Sequence, residues 1–86
     1  MSQTLKILVV DDDRSICKLM DSILQMESYP HRVVSSGAEA RKTIAAESFD
    51  ILVSDIYLGD DSGLQLLERM KTVNSEAEVV ITFGQS

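Results

Sequence analysis

Several residue types are scarce in this sequence, and each scarcity excludes a class of structure. The 86 residues include one cysteine, one proline, no tryptophan and only 5% aromatic residues. The lone Cys17 excludes an internal disulfide and a zinc site built from several cysteines. No apolar run approaches the roughly 18 residues that a membrane-spanning helix needs. The first short apolar run ends in three aspartates, so no signal peptide is predicted.

Basic residues are scarce as well. Lys+Arg number 8 and Asp+Glu number 14, which gives a formal net charge of −6. Nucleic acid is held without sequence preference by clustered Lys and Arg, and an anionic membrane surface repels an acidic protein. With 44% hydrophobic residues the chain is nevertheless too apolar to be disordered. We therefore expect one small cytoplasmic domain over residues 1–86 that contacts neither nucleic acid nor membrane.

The sequence does contain a series of short apolar runs. The clearest are Leu5–Val10, Ile51-Leu52-Val53 and Val79-Val80-Ile81, and His31–Val34 is a weaker one. Unbroken runs of this length are typical of strands that are buried on both faces of a parallel sheet. They predict four strands.

Segments with helical spacing separate these strands, and they are Arg14–Met26, Ala38–Glu47 and about Ser62–Val73. Asp13 is a plausible N-cap for the first helix, and Pro30 should end it because proline disfavours helix at the residue before it. The alternation of strands and helices implies an α/β fold with a parallel sheet and right-handed crossovers.

The apolar positions of each helix predict the face that it buries. Residues that recur about every 3.6 positions lie on one side of a helix and are expected to pack against the sheet. The candidates are Ile16, Leu19, Met20, Ile23 and Leu24 in the first helix, Ala40, Ile44 and Ala45 in the second, and Leu64, Leu66, Leu67 and Met70 in the third.

Acidic residues directly follow two of the predicted strands. Asp11–Asp13 come after the first strand and Asp55 after the third. In an open parallel sheet, ligands bind beyond the carboxyl ends of the strands, where the strand order reverses. If these two strands are neighbours, two of the first three carboxylates converge with Asp55, and they must then be protonated or share a cation. Oxygen ligands of this kind suit Mg²⁺.

Thr82 adds a hydroxyl to the same rim, at the end of the fourth strand. A cation, a carboxylate and a hydroxyl around one point suggest phosphoryl chemistry. The carboxylate of Asp55 would be the nucleophile, the metal would neutralise charge, and the hydroxyl would donate a hydrogen bond to phosphoryl oxygens.

With these motifs the sequence resembles the receiver domain of two-component response regulators. The similarity begins at Lys6–Asp13, continues through Ser36–Ala40 and Asp50–Ile56, and includes Ser62-Gly63-Leu64 and Val79–Thr82. It runs the whole length of the chain. The resemblance implies a flavodoxin-like, doubly wound parallel sheet with the strand order 2-1-3-4.

The resemblance also implies roles for individual residues. Asp55 would accept a phosphoryl group from a histidine kinase, and Thr82 would be the switch hydroxyl. Asp11 and Asp12, together with Asp55 and the main-chain carbonyl of Tyr57, would hold Mg²⁺. Phosphorylation would pull Thr82 and its loop inward and change the surface that binds an output domain or partner protein. Such a domain is a signalling switch and not an enzyme.

The sequence departs from the family pattern at three places. Gly59 stands where the family usually has proline, which predicts a more flexible loop. Phe83 stands where a small residue usually follows the switch hydroxyl. The chain also ends just after its fourth strand, so the family's fifth strand, with its lysine and its aromatic residue, and the last helices are expected to be missing.

These departures leave other functions open. A degenerate or truncated receiver would be an interaction module that does not respond to phosphorylation. A Mg²⁺-dependent phosphohydrolase would need a second acid two residues after Asp55, where Tyr57 stands. In the simplest alternative, Asp11–Asp13 are a solvated helix start. Asp60–Gly63 resembles a fragment of an EF-hand but lacks the alternating ligands and terminal Glu, so a turn and helix cap is predicted there. Thr82 would in the simplest alternative be only part of a strand.

The expected absence of a fifth strand also bears on association. The fourth strand would be an open edge with apolar residues, and the apolar side of the first helix would lose its family neighbour. An unpaired edge strand invites pairing with another chain. We therefore expect self-association through the fourth strand, or else that these 86 residues are part of a longer protein.

Overall fold

The computed structural model describes the backbone of residues 5–82 and the side chains of residues 5–80. Nine elements follow one another along the chain. They are β1 (Ile7–Val10), α1 (Arg14–Met26), β2 (His31–Val34), α2 (Gly37–Ala46), β3 (Ile51–Asp55), β4 (Tyr57–Leu58), β5 (Asp61–Ser62), α3 (Gly63–Val73) and β6 (Glu78–Thr82). The four strands and three helices predicted from the sequence are all present. The short β4 and β5 strands were not predicted.

Four parallel strands form the central sheet, in the order β2-β1-β3-β6. Val10, at the end of β1, lies opposite both Val34 of β2 and Ser54 of β3. Asp55, at the end of β3, lies opposite Thr82 of β6. The predicted α/β class and strand order 2-1-3-4 are therefore confirmed, with β6 as the fourth strand. The order reverses between β1 and β3, so a ligand is expected where these two strands end.

Helices cover both faces of the sheet. On one face, α2 contributes Ile44 and α3 contributes Leu66 to a buried cluster that includes Leu52 of β3. On the other face, α1 contributes Leu24 to a smaller cluster that includes Val9 of β1. Burial of each large apolar side chain stabilises the fold by about 1.5–3 kcal/mol. Because all four strands are parallel, their carboxyl ends meet at one edge of this covered sheet.

Each long helix begins at a residue whose side chain accepts hydrogen bonds from the first turn. Asp13 accepts from two main-chain amides at the start of α1, as the sequence predicts. Ser36 caps α2 and Ser62 caps α3 in the same way. The helix α3 begins one residue later than predicted, because Ser62 is its cap and has extended backbone, and α2 begins at Gly37, one residue earlier than predicted.

The helix α1 ends at Met26, four residues before Pro30, in agreement with the predicted stop. Ser28 follows with a left-handed backbone, φ 61°. The main-chain amide of Tyr29 donates back to the Leu24 carbonyl, so the last turn is closed before the chain enters β2. Among residues 5–82, no helix is long and apolar enough to cross a lipid bilayer.

The buried stripe of α2 and α3 is narrower than the sequence predicted. In α3 the buried residues are Gly63, Leu66 and Met70, spaced by three and four, whereas Leu64 is 53% exposed. In α2 the same spacing buries Gly37, Ala40 and Ile44, and the predicted core residue Ala45 is exposed. These predictions for Leu64 and Ala45 were wrong because a helix lying on a sheet buries a single line of side chains, and both residues flank that line.

Most of the predicted apolar stripe of α1 faces solvent. Leu24 is the only buried residue of this helix. Ile16, Leu19 and Ile23 are 39%, 54% and 43% exposed. Among the described elements, α1 is alone on its face of the sheet, so nothing from residues 5–80 covers its outer side. Helical spacing identifies an apolar face, but only the arrangement of neighbours determines whether that face is buried.

Two strand boundaries differ from the prediction. The strand β1 begins at Ile7 and not at Leu5. The main chain of Lys6 instead bonds to Asp50, which precedes β3, and to Ile51, the first residue of β3. The strand β3 continues through Asp55, so this acidic residue is the last residue of the strand and does not follow it. Phe83, and any shift of the loop after Thr82, lies outside the described residues.

Candidate functional site

Three predicted site residues lie together where β1 and β3 end. One carboxylate oxygen each from Asp11, Asp12 and Asp55 lies within 4.8 Å of the others. Asp11 follows β1 directly and Asp55 ends β3, and the two strands are hydrogen-bonded neighbours. The convergence expected from the sequence is therefore observed. Asp13, the third acidic residue of the loop, caps α1 instead.

The environment of Asp11 disfavours its charge. The residue is only 9% exposed. Burial raises the pKa of its carboxyl above the ordinary value, and the negative charges of Asp55 and Asp12 raise the pKa further. A hydrogen bond from the Asp13 amide to Asp11 Oδ1, 2.9 Å long, opposes this rise. A carboxylate held in this way gains from a nearby cation, which would remove the repulsion.

Asp55 presents an oxygen atom without a partner. Its Oδ1 atom is buried, and no described residue donates a hydrogen bond to it. Buried polar atoms are almost always hydrogen-bonded, so an orphaned carboxylate oxygen indicates a place for a ligand. The preceding Ser54 does not serve it, because its hydroxyl donates to the Asp55 main-chain carbonyl at 2.9 Å.

These atoms fit a hard divalent cation. The cluster offers carboxylate oxygens from two strand ends, one of them unpartnered, and Mg²⁺ binds through carboxylates while it keeps water and phosphate oxygens in its remaining positions. Asp12 is exposed, so one side of the cluster is open to solvent. A small cavity of about 50 Å³ adjoins the acids, lined in part by Ile16 and Met20 of α1.

The structure gives the backbone positions of two other predicted site residues. Tyr57 is the first residue of β4, two residues after Asp55, and its side chain is 78% exposed. Its main-chain carbonyl stays a predicted metal ligand. The Thr82 backbone pairs with Asp55 at the end of β6, on the expected rim, but its side chain is not among those described.

Cys17 ties the acidic loop to the first turn of α1. Its Sγ donates to the Asp11 carbonyl at 3.1 Å, and burial together with the Asp11 charge raises the pKa of the thiol. This contact was not predicted from the sequence. A thiol one turn into a helix carries no sequence signal for such a bond.

A second feature missed from the sequence is the attachment of the loop after Asp55 to α2. The strands β4 and β5 form an antiparallel hairpin in which Tyr57 pairs with Ser62. At its tip, Asp60 Oδ1 accepts from the Gly37 amide at 2.9 Å and Oδ2 accepts from the Ala38 amide at 3.0 Å. These bonds lower the pKa of the Asp60 carboxyl. The extra flexibility expected from Gly59 is therefore opposed by contacts at the next residue.

Asp61 adds a second attachment to α2. Its carboxylate accepts two hydrogen bonds from the Arg41 guanidinium, one of them 3.1 Å long, and its side chain is only 3% exposed. The pair lowers the pKa of the Asp61 carboxyl. A Cβ on Gly37 would lie 2.3 Å from the Asp61 Cβ, so only glycine allows this close approach. Asp60–Gly63 is thus a turn and helix cap, as predicted, and it also attaches the hairpin to α2.

Comparison with known proteins gives one consistent family. Residues 7–86 match the family model described as "Response regulator receiver domain". The transcriptional regulatory protein ZraR of Klebsiella oxytoca is 31% identical over 80 residues, which are 93% of this chain and 18% of that protein. The chain therefore spans only a small part of the length of this relative.

Solved structures share the fold. The CheY-like receiver domain protein from Methanospirillum hungatei JF-1 superposes with a TM-score of 0.87 and 28% identity, over 98% of this chain and 67% of that one. TrrA from Thermotoga maritima, solved in complex with Mg(2+)-BeF, has a TM-score of 0.82 and 29% identity, over 96% of this chain and 72% of that one.

Proposed function

The chain belongs to the response regulator receiver domain family, whose general function is switching by phosphorylation, and we propose that Asp55 is its phosphoacceptor. The observation that carries this proposal is the buried, unpartnered Oδ1 of Asp55 beside the carboxylates of Asp11 and Asp12. A nucleophilic oxygen must be free of donors that hold its electron pairs, and this oxygen accepts no bond from the described residues. The donor would be a histidine kinase.

Mg²⁺ is the proposed cofactor. Asp11, Asp12, Asp55 and the main-chain carbonyl of Tyr57 would be its protein ligands, and the bound ion would neutralise charge on the phosphoryl oxygens. The clustered carboxylate oxygens support this proposal, as does the Mg(2+)-BeF complex of the related TrrA. Without a cation, three converging carboxylates would repel both one another and an incoming phosphoryl group.

The proposed transfer has a simple balance. An ionised oxygen of Asp55 forms a bond to phosphorus, and the bond from phosphorus to the imidazole nitrogen of the kinase histidine breaks. The electron pair of that bond stays on the imidazole, which leaves as the neutral ring once a proton is available. No oxidant or reductant is required. The product is an acyl phosphate on Asp55.

Thr82 is the proposed switch hydroxyl. Its backbone lies opposite Asp55 across the β3–β6 pair, which supports a hydrogen bond to a phosphoryl group carried by Asp55. The added charge and acceptor oxygens would favour a conformation in which the end of β6 moves toward the site. The change is a shift between two states that differ by a few kcal/mol.

The proposed partners are a histidine kinase and an output domain or partner protein, and the proposed location is the cytoplasm. The relatives are longer proteins, and their names describe transcriptional regulators. A second copy of this chain is a further proposed partner, because β6 is an outer strand of the sheet and Val80 is 50% exposed.

Phosphorylation can be tested directly. The protein is incubated with Mg²⁺ and acetyl phosphate, and the mass of the intact chain is measured. We expect one added phosphoryl group, lost in Asp55→Asn and after chelation of Mg²⁺. Glu68→Gln, an exposed change on α3 that also removes one negative charge, is the matched control and should be modified like the wild type. An adduct that persists in Asp55→Asn would refute the assignment of the phosphoacceptor.

The same experiment distinguishes the alternatives. A folded chain that forms no adduct would be an interaction module that does not depend on phosphorylation. Continued release of phosphate over many turnovers would indicate a phosphohydrolase. The exposed Tyr57 side chain, at the position where that chemistry needs a second acid, favours a single modification over turnover.

A further inference from the structure

The hairpin β4–β5 connects the proposed phosphoacceptor Asp55 with α2. It begins two residues after Asp55, and its first residue, Tyr57, supplies the proposed carbonyl ligand. The base of the hairpin is closed by a bond from the Gly63 amide to the Ile56 carbonyl, 3.0 Å long. The position of Tyr57 relative to Asp55 therefore depends on the contacts that the hairpin makes with the core and with α2.

Besides the pair between Asp61 and Arg41, few contacts hold this hairpin. Leu58 is buried in the main core, but the Tyr57 side chain faces solvent. At the tip, a Cβ added to Gly59 would meet nothing within 4 Å, so this residue offers no packing. The tip is instead bound to the first turn of α2 by both carboxylate oxygens of Asp60. A carboxylate is favourable there because it meets unpaired amides and the positive end of the helix dipole.

We propose that Asp60 is a positioning residue for the metal site. By joining the hairpin tip to the amides of Gly37 and Ala38, it holds β4 in place and so presents the main-chain carbonyl of Tyr57 to Mg²⁺ before the ion binds. The inference rests on the proposed function, because it concerns the same Mg²⁺ site. Asp60 itself touches neither the ion nor the phosphoryl group.

Ordering the hairpin in advance should strengthen Mg²⁺ binding. A ligand on a mobile loop must lose conformational freedom when the ion binds, whereas a ligand that is already held does not. Groups that orient metal ligands typically change affinity by tenfold or more when they are removed. We therefore expect a loss of about tenfold in Mg²⁺ affinity when the attachment to α2 is broken.

Two glycines allow a test that changes no charge. Gly37→Ala adds a methyl group that would lie 2.3 Å from the Asp61 Cβ, so the hairpin must move away from α2. Gly59→Ala adds the same group at the hairpin tip, where it meets nothing within 4 Å, and the backbone there has no positive φ. Gly37→Ala thus disturbs the attachments through both Asp60 and Asp61, Gly59→Ala disturbs neither, and a substitution of Asp60 separates the two.

The measurements are Mg²⁺ affinity by calorimetric titration and amide hydrogen exchange at Tyr57 and Leu58, with circular dichroism to verify folding. Gly37→Ala should bind Mg²⁺ about tenfold more weakly and exchange faster, and Gly59→Ala should match the wild type. Asp60→Asn, measured at high ionic strength to screen the lost charge, should resemble Gly37→Ala. Its amide nitrogen cannot accept from the Ala38 amide, and it remains the deciding variant if Gly37→Ala does not fold.

Folded Asp60→Asn or Gly37→Ala with wild-type Mg²⁺ affinity would overturn this inference and leave the proposed function intact, since the attachment would then be structural only. A folded wild-type chain that binds no Mg²⁺ would overturn the proposed function, and the positioning role with it.

Discussion

Asp11 directly follows β1 and Asp55 ends the neighbouring parallel strand β3, and their carboxylate oxygens approach within 4.8 Å of each other. Two negative charges at this separation destabilise the folded chain when no cation lies between them. This repulsion therefore opposes folding in the absence of a cation, and the proposed Mg²⁺ would stabilise the fold when it binds. A receiver of this family would use the same imbalance to favour its metal-bound form.

Asp55→Asn should stabilise the protein in the absence of Mg²⁺, because it removes one of the repelling charges without changing side-chain size. The expected gain in unfolding free energy is of the order of 1 kcal/mol, the interaction of two unit charges about 4 Å apart in a water-like dielectric. Mg²⁺ should stabilise the wild type and have much less effect on the variant. Denaturant unfolding with and without Mg²⁺ provides the measurement, and equal stabilisation of both proteins by Mg²⁺ would contradict it.

Replacement of Asp13 by alanine should weaken α1. Its Oδ1 accepts from the Ser15 amide at 2.8 Å, and loss of an N-cap typically costs about 1 kcal/mol. Asp12→Ala, measured in the presence of a chelator, is the matched control. It removes the same charge at the preceding residue, where the substitution should relieve repulsion with Asp11 and remove no helix cap. Thermal unfolding of the two variants should therefore shift in opposite directions.

The stability should depend on pH through His31. Its Nδ1 lies 2.7 Å from the Tyr29 carbonyl oxygen and its Nε2 lies 2.7 Å from Asp21 Oδ1, so both ring nitrogens face acceptors. The Tyr29 carbonyl first, and then Asp21, raise the pKa of the imidazole above its ordinary value. A raised folded-state pKa means that the stabilisation is fully present below the unfolded pKa and is lost as pH rises through the folded one.

This dependence has a direct measurement. The difference in unfolding free energy between the wild type and His31→Gln should be largest near pH 6 and should decrease as the pH rises above neutrality. Asp21→Asn should retain a smaller dependence, because the Tyr29 carbonyl still favours the protonated ring. A difference that stays constant from pH 6 to pH 8 would show that the imidazole pKa is not raised.

Self-association is expected to involve the side of the sheet that carries α1. Val80 lies on β6, the outer strand of the sheet among residues 5–82, and is 50% exposed. Leu19 of α1 is 54% exposed. Val80→Lys should shift the protein toward monomer, since a charge on an edge strand opposes pairing. Val73→Lys is the control, because Val73 is 55% exposed but lies at the end of α3. Sedimentation velocity at several concentrations measures the effect, and a wild type that is monomeric throughout would contradict it.

Local patterns in the sequence were sufficient for the four strands of the central sheet, the three helices and the convergence of Asp11 with Asp55. Asp13 before an apolar repeat predicted the start of α1, and the run at Ile51-Leu52-Val53 predicted a buried strand. Alternation of strands and helices then implied a parallel sheet. Because parallel strands point the same way, acids at two strand ends had to lie on one edge, and Asp11 and Asp55 are found there.

What the sequence by itself determined was therefore periodicity, capping and the order of the elements, since these depend on residues within one turn or one strand of each other. The tertiary structure alone decided which apolar residues are buried, as the exposure of Leu64 shows. It also decided the attachment of Asp60 to Gly37, across 23 positions of sequence. Such contacts depend on how the elements pack in space, and no local pattern specifies which residues from distant parts of the chain will meet.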